Sequence, residues 1–325
     1  LDNSAMDGYA VRTADVSQPQ SVLAVSQRIA AGQVGAQLAP GTCARIFTGA
    51  PVPAGADAVV MQEHTELAGD AQVRFNEPVS LGQNIRRAGE DIAVSQQVLS
   101  AGTRVTAAAM GVAASVGAAN LSVYRPARVA VLTTGNELVM PGQPLPAGAI
   151  YNSNRHTLRG LVQSCGAQAA DLGVIPDDLQ QTRQALRKAA EQHDLIITSG
   201  GVSVGEEDHL RAAVLAEGGL DFWALAIKPG KPFVCGWINR ADGSRALYMG
   251  LPGNPVASYV TFLMLVRPVM AVLMGLPWAL PQATTLTSHF EWPRADKRRE
   301  FVRARLDEQG GVLLHPHQGS GVLSS

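Results

Sequence analysis

Asp194-Leu195-Ile196-Ile197-Thr198-Ser199-Gly200-Gly201-Val202-Ser203-Val204-Gly205-Glu206-Glu207-Asp208 is the stretch whose reading decides the fold. It opens on a short, unbroken apolar run, passes into a glycine loop and predicts a helix from about Glu207 to Glu217. An apolar run without alternation is the pattern of a strand buried on both faces, as in a parallel sheet covered by helices. The neighbouring sequence repeats the unit. Residues 128–133 read as a strand, Asn154 as the N-cap of a helix to Cys165 with Gly166 as its stop, and 169–175 as the next strand. Asp178 caps a helix to about Gln192. Strands at 222–227, 233–236 and 246–249 then lead to a helix opened by Asn254-Pro255. The alternation predicts an α/β domain over residues 126–280, built on a doubly wound, mostly parallel sheet.

The flanks differ in texture. Residues 1–93 read as an N-terminal β-rich module with short segments at 22–29, 43–47, 58–62 and 73–75, and a further segment follows at 97–99. Ala50-Pro51-Val52-Pro53-Ala54-Gly55 is a strong breaker among them. Residues 94–125 form an extended and helical segment. Its small-residue helix at 106–117 packs either on another helix or subunit, or simply into the core. Residues 281–325 return to short β segments (284–290, 300–306, 312–315) and read as a C-terminal β module that is cut short.

A chain of 325 residues predicts two or three domains. It is 46% apolar and 16% charged, which excludes a disordered polymer. A net charge of −1 gives no overall case for nucleic acid or an anionic membrane. The basic run Lys297-Arg298-Arg299, with Asp296 and Glu300 beside it, reads as a solvated face. No apolar stretch reaches the roughly 20 residues of a membrane helix, because residues 256–276 are interrupted by Arg267-Pro268. Three scattered cysteines support neither a disulfide framework nor a zinc site, so a reducing cytoplasm is expected.

In such a sheet ligands bind where the carboxyl ends of strands meet helix N-termini. Five loops with unusual residues fall there: Thr133-Thr134-Gly135-Asn136-Glu137, Pro176-Asp177-Asp178, the glycine loop, Lys228-Pro229-Gly230-Lys231-Pro232 and Leu251-Pro252-Gly253-Asn254-Pro255. Gly200, Gly201, Ser203 and Gly205 offer backbone N–H groups for an oxyanion, although a plain strand-to-helix turn has the same look. Two lysines three residues apart, stiffened by prolines, suit a tetrahedral anion better than a flexible turn does. Glu137, Asp177 and Asp208 are candidates for Mg²⁺, which takes one or two carboxylates and otherwise keeps substrate oxygens and water.

Asp2-Asn3-Ser4-Ala5-Met6-Asp7-Gly8-Tyr9-Ala10, Phe47-Thr48-Gly49-Ala50-Pro51-Val52-Pro53, Asn84-Ile85-Arg86-Arg87-Ala88-Gly89-Glu90-Asp91, the five loops and Gly319-Ser320 follow one another in a specific order. In that order they resemble the molybdopterin molybdenumtransferase family, the bacterial counterparts of the gephyrin E domain. The resemblance covers nearly the whole chain. It implies insertion of molybdate into adenylylated molybdopterin with release of AMP, in a Mg²⁺-dependent homodimer whose dimerisation segment is residues 94–125. The pterin–nucleotide site is then shared between the α/β domain of one subunit and the β module of the other. By the same resemblance Asp177 and Asp208 hold Mg²⁺. Asp7, Asp91, Glu137, Lys228 and Lys231 are catalytic, and Pro232, Pro252, Gly253, Asn254, Pro255, Arg303 and Ser320 line the substrate region with the glycine loop. It also implies contact with the molybdopterin adenylyltransferase.

Two positions depart from the family pattern. Asn136 stands where Asp is common, and Ala257 where serine is common, with Ser258 one residue late and about 100° away on a helix. The rival readings are an adenylyltransferase making the activated pterin from ATP, and a non-catalytic scaffold that binds peptides.

Overall fold

The computed structural model of the chain describes residues 1–202, 209–292, 296–322 and 324. It divides into two compact units, Leu1–Leu99 and Ser100–Ser325. The first holds a six-stranded sheet made of β1 (Gly8–Val11), β2 (Ser21–Ile29), β3 (Thr42–Ile46), β4 (Ala58–Met61), β5 (Thr65–Leu67) and β6 (Gln72–Phe75). The spatial order is β4-β1-β3-β2-β6-β5, antiparallel except between β2 and β3. Period-two alternation gives the sheet two buried faces: Tyr9 and Val11 pack with Leu23, Val60 and Phe75, whereas Ala10 packs with Ile29, Ile46 and Val59. The sequence reading missed β1, because Gly8–Val11 lies at the end of a motif and is only four residues long. The strand expected at 97–99 is absent; those residues make no ladder.

The second unit carries the predicted α/β architecture. After α1 (Ala107–Ser115), capped by the Thr106 hydroxyl, come β7 (Arg128–Thr134), α2 (Ser153–Ser164), β8 (Gln168–Ile175), α3 (Leu179–Gln192) and β9 (Leu195–Ser199). Then follow α4 (His209–Glu217), β10 (Gly218–Ala224), β11 (Pro232–Asn239), β12 (Arg245–Leu251) and α5 (Pro255–Leu273). The sheet order is β8-β7-β9-β12-β11-β10. Its first four strands are parallel, and β11 runs antiparallel to both neighbours. Alternation along β7 explains the double winding. Ala130 and Leu132 face α3 and α4 through Leu186, Ala189, Leu210 and Ala213, while Val129 and Val131 face α2 and α5 through Leu158, Val162, Phe262 and Met270.

Several boundaries differ from expectation. The N-cap of α2 is Asn152, whose Oδ1 accepts from Arg155 N–H at 3.3 Å, and not Asn154. Asn152 wins that place because its Nδ2 also donates to Thr133 Oγ1 at 2.8 Å, anchoring the cap to the end of β7. The strand expected at 222–227 is split, with β10 ending at Ala224 and Ile227–Lys228 pairing elsewhere. Of the segment 284–290 only an isolated bridge from Ser288 to Val312 forms. The interruption expected at Arg267-Pro268 does not occur. A π turn over Phe262–Val266 widens the ladder just before Pro268, and the helix continues through it. By length and composition α5 is apolar enough to cross a membrane. Its Ala257, Phe262, Val266 and Met270 are instead buried in the unit.

At the amino edge of the sheet, Asp194 accepts both Arg125 Nη groups at 2.6 and 2.7 Å and the Arg128 N–H at 2.8 Å, tying β7 to β9. The Arg125 hydrogen bonds hold its carboxyl at about 2, below the ordinary 3.8. A lowered carboxylate pKa stabilises the fold above the unfolded-state value near 3.9, and that contribution is lost as the pH falls towards 2. Asp194→Asn is expected to cost about 1–2 kcal/mol at neutral pH, discounted for the solvent around Arg125. Urea denaturation should show this difference shrinking as the pH falls from about 4 through about 2 and vanishing below it.

Candidate active site

The parallel strands β7, β8, β9 and β12 all end at one edge, and their loops surround an open cavity of about 1280 Å³. The lysine loop joins them because β11 runs antiparallel to β12, so its first residue, Pro232, lies beside the end of β12. Glu137, Asp177, Gly200, Gly201, Lys228, Lys231, Pro232, Pro252, Gly253, Asn254, Pro255 and Ser320 all line the cavity. Asp7 and Asp91 belong to the first compact unit. Ser203, Gly205 and Asp208 lie outside the described residues.

Close backbone packing holds the floor together. Gly200 N–H donates to Leu251 O at 3.1 Å, and Ser199 Oγ donates to Pro252 O at 3.3 Å. Gly200 and Gly201 have φ of +93° and +64°. A Cβ on Gly200 would sit 2.7 Å from Thr134 O, and one on Gly201 2.9 Å from Thr134 Oγ1. Only glycine combines that conformation with that approach. Asn154, read from sequence as a cap, is buried between these loops. Its Nδ2 donates to Ser199 Oγ at 2.8 Å and to Gly253 O at 2.7 Å. The N-termini of α2 and α5 open on the same space, through Ser153 and through Asn254-Pro255.

The two lysines differ in environment. Lys228 Nζ donates to Glu300 Oε1 at 2.6 Å and lies 3.6 Å from Asp296 Oδ2. The backbone fixes the same register: Ile227–Lys228 pairs with Arg299–Glu300, and Phe301 N–H donates to Lys228 O at 2.7 Å. The Glu300 hydrogen bond raises the Lys228 pKa, and the Lys228 hydrogen bond, followed by that of Trp292, lowers that of Glu300. The Glu300 Oε2 accepts Trp292 Nε1–H at 2.9 Å, and the indole lines the cavity. Lys231 is exposed in the cavity and has no ion-pair partner among the described residues. The expected pair of ammonium groups is therefore one compensated and one open cation.

Other predicted residues take distinct places. Arg303 does not line the cavity: its guanidinium donates to the carbonyls of His317, Gly319 and Val322 at 2.7–3.0 Å. It thereby shapes the loop carrying Ser320, whose carbonyl accepts from Val256 N–H at 3.0 Å. Asp7 Oδ1 accepts from Thr48 N–H and Oγ1, both at 2.8 Å, and these bonds hold its carboxyl below the usual range. Asn136 Oδ1 accepts weakly from Asp177 N–H at 3.5 Å. Ala257 lines the cavity, whereas Ser258 Oγ is buried without a partner among the described residues.

Sequence reasoning missed Asn152, Trp292 and Glu300 as site residues. The last was assigned to a solvated face, but its side chain is 14% exposed and bonded to Lys228. No local spacing could show a pairing across seventy residues. Replacing Glu300 by Gln is expected to lower the Lys228 pKa towards its ordinary value; NMR titration of ¹³C-methylated lysine reads this directly, and an unchanged titration contradicts it.

Residues 1–117 match the MoeA N-terminal region (domain I and II), 130–272 a probable molybdopterin binding domain, and 285–325 the MoeA C-terminal region (domain IV). A molybdopterin molybdenumtransferase of Haemophilus influenzae is 40% identical over 330 residues, covering 100% of this chain and 80% of the relative. That of Bacillus subtilis is 36% identical over 337 residues, covering 100% and 76%. The crystal structure of the molybdopterin biosynthesis moeA protein from Pyrococcus horikoshii OT3 superposes with a TM-score of 0.81 at 27% identity, over 99% of this chain and 80% of that one. Motif order, sheet topology and full-length similarity agree: the chain belongs to the molybdopterin molybdenumtransferase family, transferases of molybdenum cofactor biosynthesis.

Proposed function

We propose that the cavity takes adenylylated molybdopterin and molybdate and yields the molybdenum cofactor and AMP. The observation that carries this reading is that Lys231, without an ion-pair partner among the described residues, lines the same cavity as the Gly200–Gly201 backbone, two helix N-termini and a compensated Lys228. Oxyanions are stabilised at such a site by charge-assisted hydrogen bonds and helix dipoles. In the reaction the substrate's two dithiolene thiols bond to molybdenum as a molybdate oxygen leaves as water with their two protons, and a second water cleaves the phosphoanhydride to AMP and the phosphate of the pterin. The protein's part is positioning and neutralising the oxyanions. Glu137 in the cavity, with Asp7 and Asp91 contributed by a partner subunit, handles the protons.

No cluster of three or more His, Cys, Asp or Glu that could hold a metal forms among the described residues. Mg²⁺ does not require one, because a single carboxylate and phosphate oxygens satisfy its usual coordination. Asp177, and Asp208 outside the described residues, are the side chains that would hold it, and it would neutralise phosphate charge there.

The reading includes a homodimer. Helix α1 supports it, with Ala109 and Ala113 its buried residues, while Met110 is 58% exposed and Val116, at its C-cap, 47%. An apolar helix left open in this way suits a second copy of the chain. Contact with an adenylyltransferase that supplies the activated pterin belongs to the same proposal.

Lys231→Ala is expected to weaken molybdate binding roughly ten- to a hundredfold. Lys231→Ala and Asp177→Ala should both slow AMP release from adenylylated molybdopterin, and native rates in both would sink the assignment. Met110→Glu should shift the sedimentation of the chain from dimer to monomer.

A further inference from the structure

Asn154 lies in the first turn of α2, is 9% exposed and lines the cavity. Its Nδ2 faces Gly253 O at 2.7 Å, and a carbonyl oxygen can only accept. The amide nitrogen must therefore occupy that position, which fixes the side chain against a flip. The second proton of Nδ2 goes to Ser199 Oγ at 2.8 Å, so both donors are satisfied. Oδ1 accepts no hydrogen bond from any described residue. The side-chain polar atoms sealed from solvent without a partner, among the described residues, are Asn76 Oδ1, Arg159 Nε and Ser258 Oγ. Asn154 Oδ1 is not one of them, so it retains access to solvent in a residue that lines the cavity. It is a neutral acceptor held in place in a site that also carries groups suited to ions. The lysine and backbone N–H groups attract oxyanions, and the exposed carboxylates of Glu137 and Asp177 attract cations. A neutral, nearly buried carbonyl does not suit an oxyanion, and with exposed carboxylates present for a cation it suits a neutral N–H or O–H donor.

We propose that Asn154 reads the substrate, its Oδ1 accepting a neutral N–H or O–H of the pterin nucleotide while its Nδ2 staples the Ser199–Gly200 and Pro252–Gly253 loops. This rests on the pterin-nucleotide reading above and adds to it the group that selects the uncharged part of the ligand. A ligand lacking the donor leaves a nearly buried acceptor unpaired, and discrimination follows from that penalty. The donor has two sources, the nucleoside or the pterin, and paired probes separate them. These are AMP against purine riboside monophosphate and 2′-deoxy-AMP for the nucleoside, and pterin against lumazine for the pterin.

Titration calorimetry with the full chain tests the proposal in three variants. Asn154→Ala is expected to lose about five- to tenfold in affinity for one member of one pair, the size of a neutral hydrogen bond, and to bind that pair without preference. Asn154→Asp keeps an acceptor towards the cavity but puts an oxygen against Gly253 O, so it should melt at a lower temperature and keep the preference. Ser199→Ala loosens the same staple and should also keep the preference. If the preference survives in Asn154→Ala, or vanishes equally in Asn154→Asp and Ser199→Ala, the residue is a staple only and the proposal fails. If the native chain binds none of the probes, the pterin-nucleotide reading itself fails, and this inference with it.

Discussion

Parallel pairing is the constraint on which the rest of the site depends. Strands β8, β7, β9 and β12 are hydrogen-bonded in parallel, so all four must finish at the same edge. Helices follow these strands, and the N-termini of α2 and α5 present backbone N–H groups to the same space. Glycine is required where two of these turns touch, at Gly200 and Gly201 against Thr134. Asn154 binds the loops from below. The cavity is thus a consequence of topology before any charged side chain is considered.

Charge is added unevenly to that frame. Lys228 is built into a two-strand junction with the closing segment, where Glu300 compensates it and Trp292 orients Glu300 in turn. Lys231, three residues on, is left open. On the proposed function, an incoming oxyanion would meet Lys231, without an ion-pair partner among the described residues, and a Lys228 whose position is already set, so less ordering would be needed at the moment of binding. Arg303 acts one step back, fixing the carbonyls of the loop that places Ser320.

Much of this was legible in the sequence. The apolar run at Leu195 and the glycine loop after it fixed the sheet type, and the spacing of the later motifs located the edge. What stayed hidden has a common cause. Asn154 looked like a cap because local patterning cannot show that Asn152 has the better anchor in Thr133. Glu300 looked solvated because its partner, Lys228, is adjacent only through long-range pairing. The helix through Pro268 was unreadable for a different reason: a π turn just upstream absorbs a residue type that normally ends a helix.

Oxyanion binding at Lys231 and the glycine backbone is tested by a crystal structure of the chain soaked with molybdate and AMP. Molybdate is expected within hydrogen-bond reach of Lys231 Nζ, and the AMP phosphate against the Gly200–Gly201 loop. Molybdate bound elsewhere, with Lys231 pointing into solvent, would contradict it.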